Sequence, residues 1–385
     1  MRVVLDAQIL CDHKLIHGTS IFAYNLYRTL ITRGKNEYIL SFFDKNKERG
    51  NREKLKEYFS EDEVVFSECN TISYKDVLSD SNVFGNKTYA ESTGTYGDVY
   101  FCDCSLYMPT KMTEKWIVTH YDFIPLQCEK FRPTSHFVTH MIKTINAMRV
   151  WKPHIITITE YVKQEVLRRI PEYKENEVTV TGAGYNSNIH YKEINQDILN
   201  ELHLHEDYLL FFSPFFSHKN APLTVEAFNL IANKFPNLRL VMTGRFIDDT
   251  QETMSRICRS EFRERIIVTG VVNDNEKRTL ISGALAVLYP SLCEGFGLPI
   301  IESQTCGTPV ITSNTTCMPE VAGDAALLID PRSTESLASA MEKIIISKSL
   351  REDYIKKGYE NIKRYSWDLT AEKMEETFEK IYNEL

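Results

Sequence analysis

The chain has 385 residues, of which 43% are hydrophobic and 25% are charged. This length predicts about two domains, and this composition is ordinary for a globular protein, which excludes disordered and low-complexity classes. The formal net charge of −8 excludes nucleic-acid binding through bulk positive charge.

The N-terminal half of the sequence consists of short apolar runs that alternate with helical segments. A helix is predicted from Ser20, which would be its N-cap, with Phe22, Leu26 and Leu30 on its buried face. Residues 70–97 are rich in small polar residues and are predicted to form loops. The predicted strands are Val3–Leu5, Tyr38–Phe43, Val64–Phe66, Val99–Phe101, Ile117–Val118, Ile155–Ile158 and Val178–Val180.

The same alternation restarts after a polar stretch, Asn195–Asp207, which is predicted to be a linker. A long helix is predicted from Thr370 to the C-terminus. The predicted strands of this half are Tyr208–Phe212, Leu238–Met242, Ile266–Thr269, Ala286–Tyr289, Pro309–Thr312 and Ala326–Ile329.

This order of elements predicts the α/β fold class, with two doubly wound parallel sheets in domains that span residues 1–198 and 199–367. Ligands bind beyond the carboxyl ends of the strands in such sheets, so two facing sheets would form an interdomain cleft for a ligand. No Gly-x-Gly-x-x-Gly follows Leu5, and no Walker loop is present, so neither a dehydrogenase nor a nucleotide triphosphatase is predicted.

No segment has the roughly 18–20 consecutive apolar residues of a membrane-spanning helix. Asp6 comes too early for a signal-peptide core, and we therefore expect a cytoplasmic protein. The nine cysteines are scattered except for Cys102 and Cys104, which favours reduced thiols and does not match zinc-ligand spacing. We therefore expect no metal site.

The most informative segment covers residues 290–310 and lies between two predicted strands. Gly295 and Gly297 allow the backbone to turn sharply and to approach a ligand closely. Pro299 suits the first turn of a helix, whose N-terminus forms an anion site together with the free amides of the glycine loop. Two carboxylates beside that site, Glu294 and Glu302, can accept hydrogen bonds from sugar hydroxyls.

The spacing of Glu294 and Glu302, with seven residues between them, resembles the signature of the family-four retaining glycosyltransferases, which have the GT-B fold. The surrounding Glu-Gly-Phe-Gly-Leu-Pro and Cys-Gly-Thr-Pro-Val blocks and the block Pro319–Pro331 are also similar to that family. The resemblance runs in order over nearly the whole chain, and the sequence of these blocks is most similar to that of bacterial surface-polysaccharide mannosyl- and rhamnosyltransferases.

The resemblance implies that the second domain binds a nucleotide diphosphate sugar, which is a substrate, and that no other cofactor is needed. Glu294 would contact the donor sugar, Glu302 the ribose, and Phe296 with its neighbours the sugar and diphosphate. Lys219 would bind the diphosphate and neutralise the leaving group, since preorganised positive charge stabilises it best. The implied donor-binding residues are Gly18, Ser213, His218, Lys219, Val271, Val272, Glu294, Gly295, Phe296, Gly297, Leu298 and Glu302.

Two departures from the family pattern stand out. The family often has a Gly-Arg pair where this chain has Ser213 and Pro214, so the phosphate clamp either carries less charge or is shared by His218. The family also has a histidine directly before an aspartate in its first domain, whereas here Tyr121 separates His120 from the aspartate. The resemblance therefore implies His120, Lys219 and Glu294 as the catalytic residues, with Tyr121 as the alternative to His120.

Other parts of the first domain follow the family pattern. His17-Gly18-Thr19-Ser20 matches its glycine loop, in which Gly18 would approach the diphosphate and the acceptor. Thr159 would cap the helix that follows it, and Asp122 would fix its own loop. The final helix, residues 368–385, would pack back on the first domain as it does in relatives with the GT-B fold.

Residues 130–159 contain no Asp or Glu. They include five cations and three histidines that could add charge at lower pH. The segment is either a solvated helix face or a surface for an anionic membrane or a lipid diphosphate acceptor. The residues concerned are Lys130, Arg132, Lys143, Arg149 and Lys152, with His136, His140 and His154.

The sequence as a whole thus predicts retaining transfer of a hexose, with GDP-mannose as a first guess for the donor, to a glycan or lipid-linked acceptor in surface-polysaccharide or O-antigen synthesis. Two alternatives remain. One is a scaffold protein with the GT-B fold that binds a nucleotide sugar without transferring it, and the other is a different reaction of this fold, such as epimerisation or phosphorolysis.

Overall fold

The computed structural model of the protein describes residues 1–12, 18–43, 50–70, 87–108, 114–128, 136–247 and 250–384. These residues form two compact units. The first contains most of the chain from Met1 to Gly184 together with the C-terminal segment from Ser366, and the second consists mainly of Tyr185–Tyr365.

The first unit is built on a seven-stranded parallel sheet in the order β3-β2-β1-β4-β5-β6-β7. Every strand predicted for the N-terminal half is present, and no strand end differs from its predicted position by more than three residues. The strands are β1 (Arg2–Asp6), β2 (Glu37–Phe43), β3 (Val65–Cys69), β4 (Val99–Cys102), β5 (Trp116–Thr119), β6 (His154–Thr157) and β7 (Val178–Val180).

The α-helices described for the first unit cover both faces of this sheet. Phe22, Leu26 and Leu30 are buried as predicted, but Ser20 is not an N-cap, because the helix begins at Gly18 and buries Ser20 in its first turn. In the final helix the buried carboxylate of Glu375 pairs with Arg33 at 3.1 Å. The helices are Gln8–Asp12, Gly18–Arg33, Asn51–Lys56, Tyr89–Thr93, Ile124–Gln127, His136–Trp151, Glu160–Arg169 and Trp367–Asn383.

The second unit is built on a six-stranded parallel sheet in the order β10-β9-β8-β11-β12-β13. The chain starts in the middle at β8, adds β9 and β10 on one side, and returns to β11 on the other side. This reversal is the topological switch point at which doubly wound sheets bind ligands. The strands are β8 (Tyr208–Phe212), β9 (Arg239–Thr243), β10 (Ile266–Gly270), β11 (Ala286–Tyr289), β12 (Val310–Ser313) and β13 (Ala326–Ile329).

Both faces of this second sheet are buried. Leu209 and Phe211 belong to one hydrophobic cluster and Leu210 to another, as expected for the alternation of side chains along a strand with helices on both sides. The α-helices described for this unit are Gln196–Glu201, Ala221–Ile231, Thr250–Arg259, Asp274–Gly283, Leu298–Thr305, Met318–Ala322, Thr334–Ile346 and Lys348–Asn361.

The predicted linker at 195–207 is wrong, because this stretch contains a helix whose Leu199 is buried in the second unit. The unit boundary lies between Gly184 and Tyr185 instead of after residue 198. The residues just after the boundary are held on the second unit by Arg278, which donates to the Glu193 carboxylate at 2.8 Å and to the Ile189 carbonyl at 3.3 Å.

The predicted basic segment is partly neutralised in the structure. Arg149 lies 3.4 Å from the carboxylate of Glu172, and Lys152 lies 3.2 Å from that of Glu177. Burial lowers the pKa of His154 to about 4, so this histidine adds no charge at mildly acidic pH, contrary to the prediction. Lys130, Arg132 and the side chain of His136 lie outside the described residues, as does His17.

No helix within the described ranges is both long enough and apolar enough to cross a membrane.

Candidate functional site

The site of the second unit lies at the switch point, where the loops after the adjacent strands β8 and β11 meet. Lys219 ends a short 3-10 turn, Ser217–Lys219, that follows β8. The next residue, Asn220, has a left-handed backbone with φ of 64° and begins the helix Ala221–Ile231. The side-chain amide of Asn220 donates to the carbonyl of Pro290, in the loop after β11, at 3.2 Å. The two loops are therefore fixed to each other directly beside Lys219.

Lys219 and Glu294, two of the predicted catalytic residues, form a buried ion pair. The Lys219 Nζ donates to the Glu294 Oε1 at 2.6 Å, and the Ser291 hydroxyl donates to the same oxygen at 2.5 Å. Burial by itself would raise the pKa of Glu294, but the charges of Lys219 and His218 and these hydrogen bonds outweigh it and lower the pKa. Glu294 is therefore an ionised acceptor at neutral pH.

The glycine loop after Glu294 leads into the helix Leu298–Thr305, as predicted. Gly297 has φ of 96°, and a Cβ there would lie 3.2 Å from the side chains of Tyr289 and Ile300, so the turn requires glycine. Pro299 occupies the first turn of the helix. Gly295 and Phe296 come directly before this turn, and Leu298 is the first helical residue. The N-terminal amides of this helix, which form the positive end of its dipole, thus follow Glu294 of the ion pair closely along the chain.

The loop after β12 holds the glutamate loop in place, a contact that the sequence did not reveal. The Glu294 amide donates to the Thr316 Oγ1 at 3.2 Å, and the Cys317 thiol donates to the carbonyls of Glu294 and Phe296 at 3.2 and 3.3 Å. Thr316 has φ of 54°, which is unusual for a β-branched residue and stores strain at the site. The only sequence signal was the position of these residues just after a strand.

Glu302, on the helix that follows the glycine loop, is the second ionised carboxylate. The Lys277 Nζ lies 2.9 Å from one of its oxygens, and the His190 Nε2 lies 3.4 Å from the other. Burial alone would raise its pKa, but the charges of Lys277 and His190 reverse the effect and lower it. Lys277 also lies 4.7 Å from the ring centroid of Phe212, at the end of β8. Sequence reasoning identified neither partner.

The remaining predicted donor-binding residues line the ends of β8 to β10. Ser213 follows β8 and is buried, and its hydroxyl has no hydrogen-bond partner among the described residues. His218 is also buried, and its carbonyl oxygen lies 2.9 Å from the Ser291 hydroxyl oxygen. Val271 and Val272 follow β10, and the side chain of Val271 is 74% exposed. These residues belong to the same carboxyl edge as Lys219.

The two other predicted site residues lie in the first unit. His120 follows β5, is 1% exposed, and shares a hydrogen bond of 2.9 Å between its Nδ1 and the Ser105 hydroxyl. Its Nε2 has no partner among the described residues. Burial, aided by the charge of Arg169, lowers the pKa of His120 to about 3, so the ring is neutral at pH 7. Gly18 is exposed at the first position of its helix.

The neighbours of His120 have distinct contacts. The Tyr121 hydroxyl donates to the Asp103 Oδ2 at 2.8 Å, and Tyr121 is less buried than His120. Asp122 accepts a hydrogen bond from the Ile124 amide at 2.9 Å, which confirms that it fixes its loop. Thr159 accepts from the Val162 amide and caps the next helix, as predicted. Which of His120 and Tyr121 occupies the histidine position of the family stays a prediction.

Among the residues that the structure describes, no three or more His, Cys, Asp or Glu side chains are grouped so as to hold a metal ion.

Comparisons with known proteins show similarity over the part of the chain that contains this site. Residues 195–361, which contain Lys219, Glu294 and Glu302, match the family model "Glycosyl transferases group 1". The O-antigen chain mannosyltransferase B of Escherichia coli is 26% identical over 280 residues, which cover 71% of this chain and 72% of that protein. The serotype-specific mannosyltransferase WbdA of Escherichia coli is 25% identical over 189 residues, which are 48% of this chain but only 23% of WbdA.

A likeness in fold extends over the whole chain. The crystal structure of Anabaena HepE in complex with UDP and glucose aligns with a TM-score of 0.76 and 15% sequence identity, covering 99% of this chain and 100% of that one. The WaaG glycosyltransferase of lipopolysaccharide biosynthesis aligns with a TM-score of 0.70 and 13% identity, covering 100% of both chains. The predicted fold class is thereby confirmed: the chain has the GT-B fold, and its residues 195–361 match the glycosyl transferases of group 1.

Proposed function

We propose that the protein transfers a mannosyl residue from GDP-mannose, with retention of configuration, to a glycan or lipid-linked acceptor in the synthesis of a surface polysaccharide. The observation that carries the proposal is the 2.6 Å pair of Lys219 and Glu294 at the switch point, beside the N-terminus of the helix Leu298–Thr305. The choice of mannose is supported by the relatives, which are named O-antigen and serotype-specific mannosyltransferases.

In this proposal each charged group of the site has one task. The diphosphate of the donor binds between Lys219 and the helix N-terminus, which together stabilise the charge that develops on the leaving group. Glu294 accepts hydrogen bonds from hydroxyls of the donor sugar, and Glu302 from those of the ribose. The acceptor hydroxyl attacks the anomeric carbon of the donor sugar on the same face from which the nucleoside diphosphate departs. An oxygen of the departing diphosphate takes the proton of that hydroxyl. No carboxylate serves as a nucleophile.

A thermal-shift screen against GDP-, UDP- and dTDP-sugars identifies the donor. A ligand at about 100 times its dissociation constant adds about 2.7 kcal/mol to the free energy of unfolding, which raises the midpoint measurably. We expect GDP-mannose to give the largest shift. A larger shift with a UDP- or dTDP-sugar would contradict the proposed base and leave the transferase reaction in place.

Release of nucleoside diphosphate from the identified donor then tests the reaction. We expect slow release without acceptor, faster release with acceptor, and loss of both in Glu294→Ala. Glu261→Ala, which removes an exposed carboxylate of the same unit, serves as the control and keeps full activity. Tight donor binding without turnover on any glycan acceptor would favour the alternative of a non-catalytic scaffold.

Two further features of the proposal have direct tests. We expect turnover to persist in excess EDTA, because Lys219 and the helix N-terminus supply the positive charge at the diphosphate. Loss of turnover that Mg²⁺ or Mn²⁺ restores would contradict metal independence. We also expect NMR of the product to show the anomeric configuration of the donor, and an inverted product would contradict the retaining mechanism.

We also propose that the helix His136–Trp151 contacts an anionic membrane surface. Its exposed face combines Lys143 with two large apolar side chains, Ile142 and Val150, which are 48% and 70% exposed. Cationic and apolar side chains on one helix face are typical of interfacial binding. Lys143→Glu should reduce sedimentation with vesicles of anionic lipid, whereas Lys348→Glu on the second unit should not. Equal sedimentation of both variants would overturn this contact.

A further inference from the structure

Tyr289 is the last residue of β11 and lies at the centre of the switch point, yet no sequence motif pointed to it. Its side chain is 1% exposed. The Lys219 Nζ donates to its hydroxyl at 3.0 Å and to the Glu294 Oε1 at 2.6 Å. The Tyr289 carbonyl in turn accepts a hydrogen bond from the Thr312 hydroxyl of the next strand at 2.9 Å. The backbone of Tyr289 is thus held by the sheet, and its phenol contacts the lysine of the site.

The hydroxyl determines the direction of the lysine ammonium. An ammonium has three donors, and within the described part of the chain two of them are used, one by Glu294 and one by Tyr289. Two acceptors on different elements fix the orientation of the group, so the third donor has a defined direction. If the phenol hydroxyl were absent, only the carboxylate would hold the ammonium, which could then rotate about that single contact.

Tyr289 also supports the glycine loop. Its ring would lie 3.2 Å from a Cβ on Gly297, so the ring lies directly against the turn that precedes the helix N-terminus. One side chain therefore contacts both positive elements of the site, the lysine and the start of the helix Leu298–Thr305. The ring contributes packing, and the hydroxyl contributes the contact with Lys219 and a hydrogen bond with the Glu294 carboxylate. These two contributions can be separated, because phenylalanine keeps the ring and removes the hydroxyl.

We propose that Tyr289 is a positioning residue that orients Lys219, through its hydroxyl, toward the diphosphate of the leaving nucleotide. The inference rests on the proposed function of the site. It adds a specific consequence, since the orientation of Lys219 matters most when charge has accumulated on the diphosphate. A free nucleoside diphosphate carries more charge than the same group esterified to a sugar.

The test compares Tyr289→Phe with Tyr208→Phe. Tyr208 is an equally buried tyrosine of the same sheet, and its hydroxyl donates to the backbone carbonyl of Leu280 at 2.8 Å, away from Lys219. We expect Tyr289→Phe to lower kcat and the affinity for the nucleoside diphosphate about tenfold each, with less than a threefold change in the donor KM. Tyr208→Phe should leave all three unchanged, and both variants should fold.

A double-mutant cycle shows whether the effect passes through Lys219. In a Lys219→Met background, adding Tyr289→Phe should change the affinity for the nucleoside diphosphate by less than twofold. A full tenfold loss in that background, or a Tyr289→Phe variant that matches Tyr208→Phe throughout, would overturn the inference alone. A wild-type protein that binds no nucleoside diphosphate would overturn the proposed function of the site, and the inference with it.

Discussion

The two sheets share a topology but differ in the chemistry of their switch points. In each sheet the first strand lies beside the fourth, β1 beside β4 and β8 beside β11. At the second switch point the carboxylates Glu294 and Glu302 each have a cation within 3 Å, and their pKa values are lowered. At the first, burial raises the pKa of Asp103 well above its usual range, and its described hydrogen-bond donor is the phenol of Tyr121.

This difference shows that a common scaffold can present either charge or neutral hydrogen-bonding groups at the same place. Burial raises the pKa of a carboxyl, and a nearby cation lowers it. The ring of His120, which follows the next strand β5, is neutral at pH 7 as well. In the proposed function, the cation Lys219 of the second site binds the diphosphate. The following predictions test this contrast.

The largest effect should come from Lys219→Met, which leaves Glu294 ionised and buried without its closest cation. Breaking a buried pair by removing one partner costs about 3–5 kcal/mol, so unfolding by urea should begin at a clearly lower concentration. Adding Glu294→Gln in the same chain removes the uncompensated charge and should restore most of the stability but none of the activity. A single variant as stable as the wild type would contradict the buried ion pair.

Glu294→Gln and Asp103→Asn should change stability in opposite directions at pH 7. Because the pKa of Glu294 is lowered by folding, its carboxylate stabilises the fold at pH values above the unfolded pKa near 4.5. The Glu294→Gln variant loses charge-assisted hydrogen bonds, which are worth about 1.5–3 kcal/mol. Burial raises the pKa of Asp103 well above its value near 3.8 in the unfolded chain, so its carboxyl costs stability as the pH rises, and the amide removes that cost.

Thermal unfolding of both variants at pH 7 and pH 3.5 measures the contrast. The gain in Asp103→Asn should be large at pH 7 and much smaller at pH 3.5, where the carboxyl of the unfolded chain is also mostly protonated. A loss of stability at pH 7 in both variants would mean that the two switch points do not differ in charge.

His120 should make the fold less stable as the pH falls. The unfolded chain takes up a proton near pH 6.5, and the folded chain does so only near pH 3, so the unfolded state gains stability between these values. The linkage relation gives a loss of about 2 kcal/mol between pH 8 and pH 5 from this residue alone. His120→Gln should remove that slope, while His205→Gln, on the exposed surface, should not. An unchanged slope in His120→Gln would show that the ring is protonated in the folded protein.

The smallest effect should come from Thr316→Val, which keeps the branched shape and removes the hydroxyl that accepts from the Glu294 amide. One hydrogen bond of this kind contributes about 1 kcal/mol. We expect a small decrease in melting temperature together with a severalfold decrease in turnover, because the glutamate loop loses an anchor. Thr377→Val, in the C-terminal helix of the first unit, removes a hydroxyl bonded to the Lys373 carbonyl and should leave turnover unchanged.

The sequence allowed the thirteen strands of the described ranges to be predicted, because a strand buried on both faces is a nearly continuous apolar run, such as Tyr208–Phe212. The prediction of a linker at Asn195–Asp207 was wrong, because this stretch is mostly polar and yet the side chains of Leu199 and Leu204 are buried. Sequence reasoning also counted Arg149 and Lys152 in a basic segment without identifying their acidic partners Glu172 and Glu177, which follow 23 and 25 residues later. In each case the deciding contact lies outside the window that a local pattern can use.

The sequence by itself determined which residues could form a donor site. A glycine turn, a proline that starts a helix and two spaced carboxylates each depend on neighbouring residues, so they can be identified from local spacing. Only the tertiary structure decided how those residues are paired. Lys219 and Glu294 are 75 positions apart, and Lys277 and Glu302 reach each other from different helices. The charge state of each carboxyl depends on such long-range contacts, since burial and the nearest cation act in opposite directions on its pKa. The role inferred for Tyr289 arises for the same reason, because its hydroxyl reaches Lys219 only after β8 and β11 have paired.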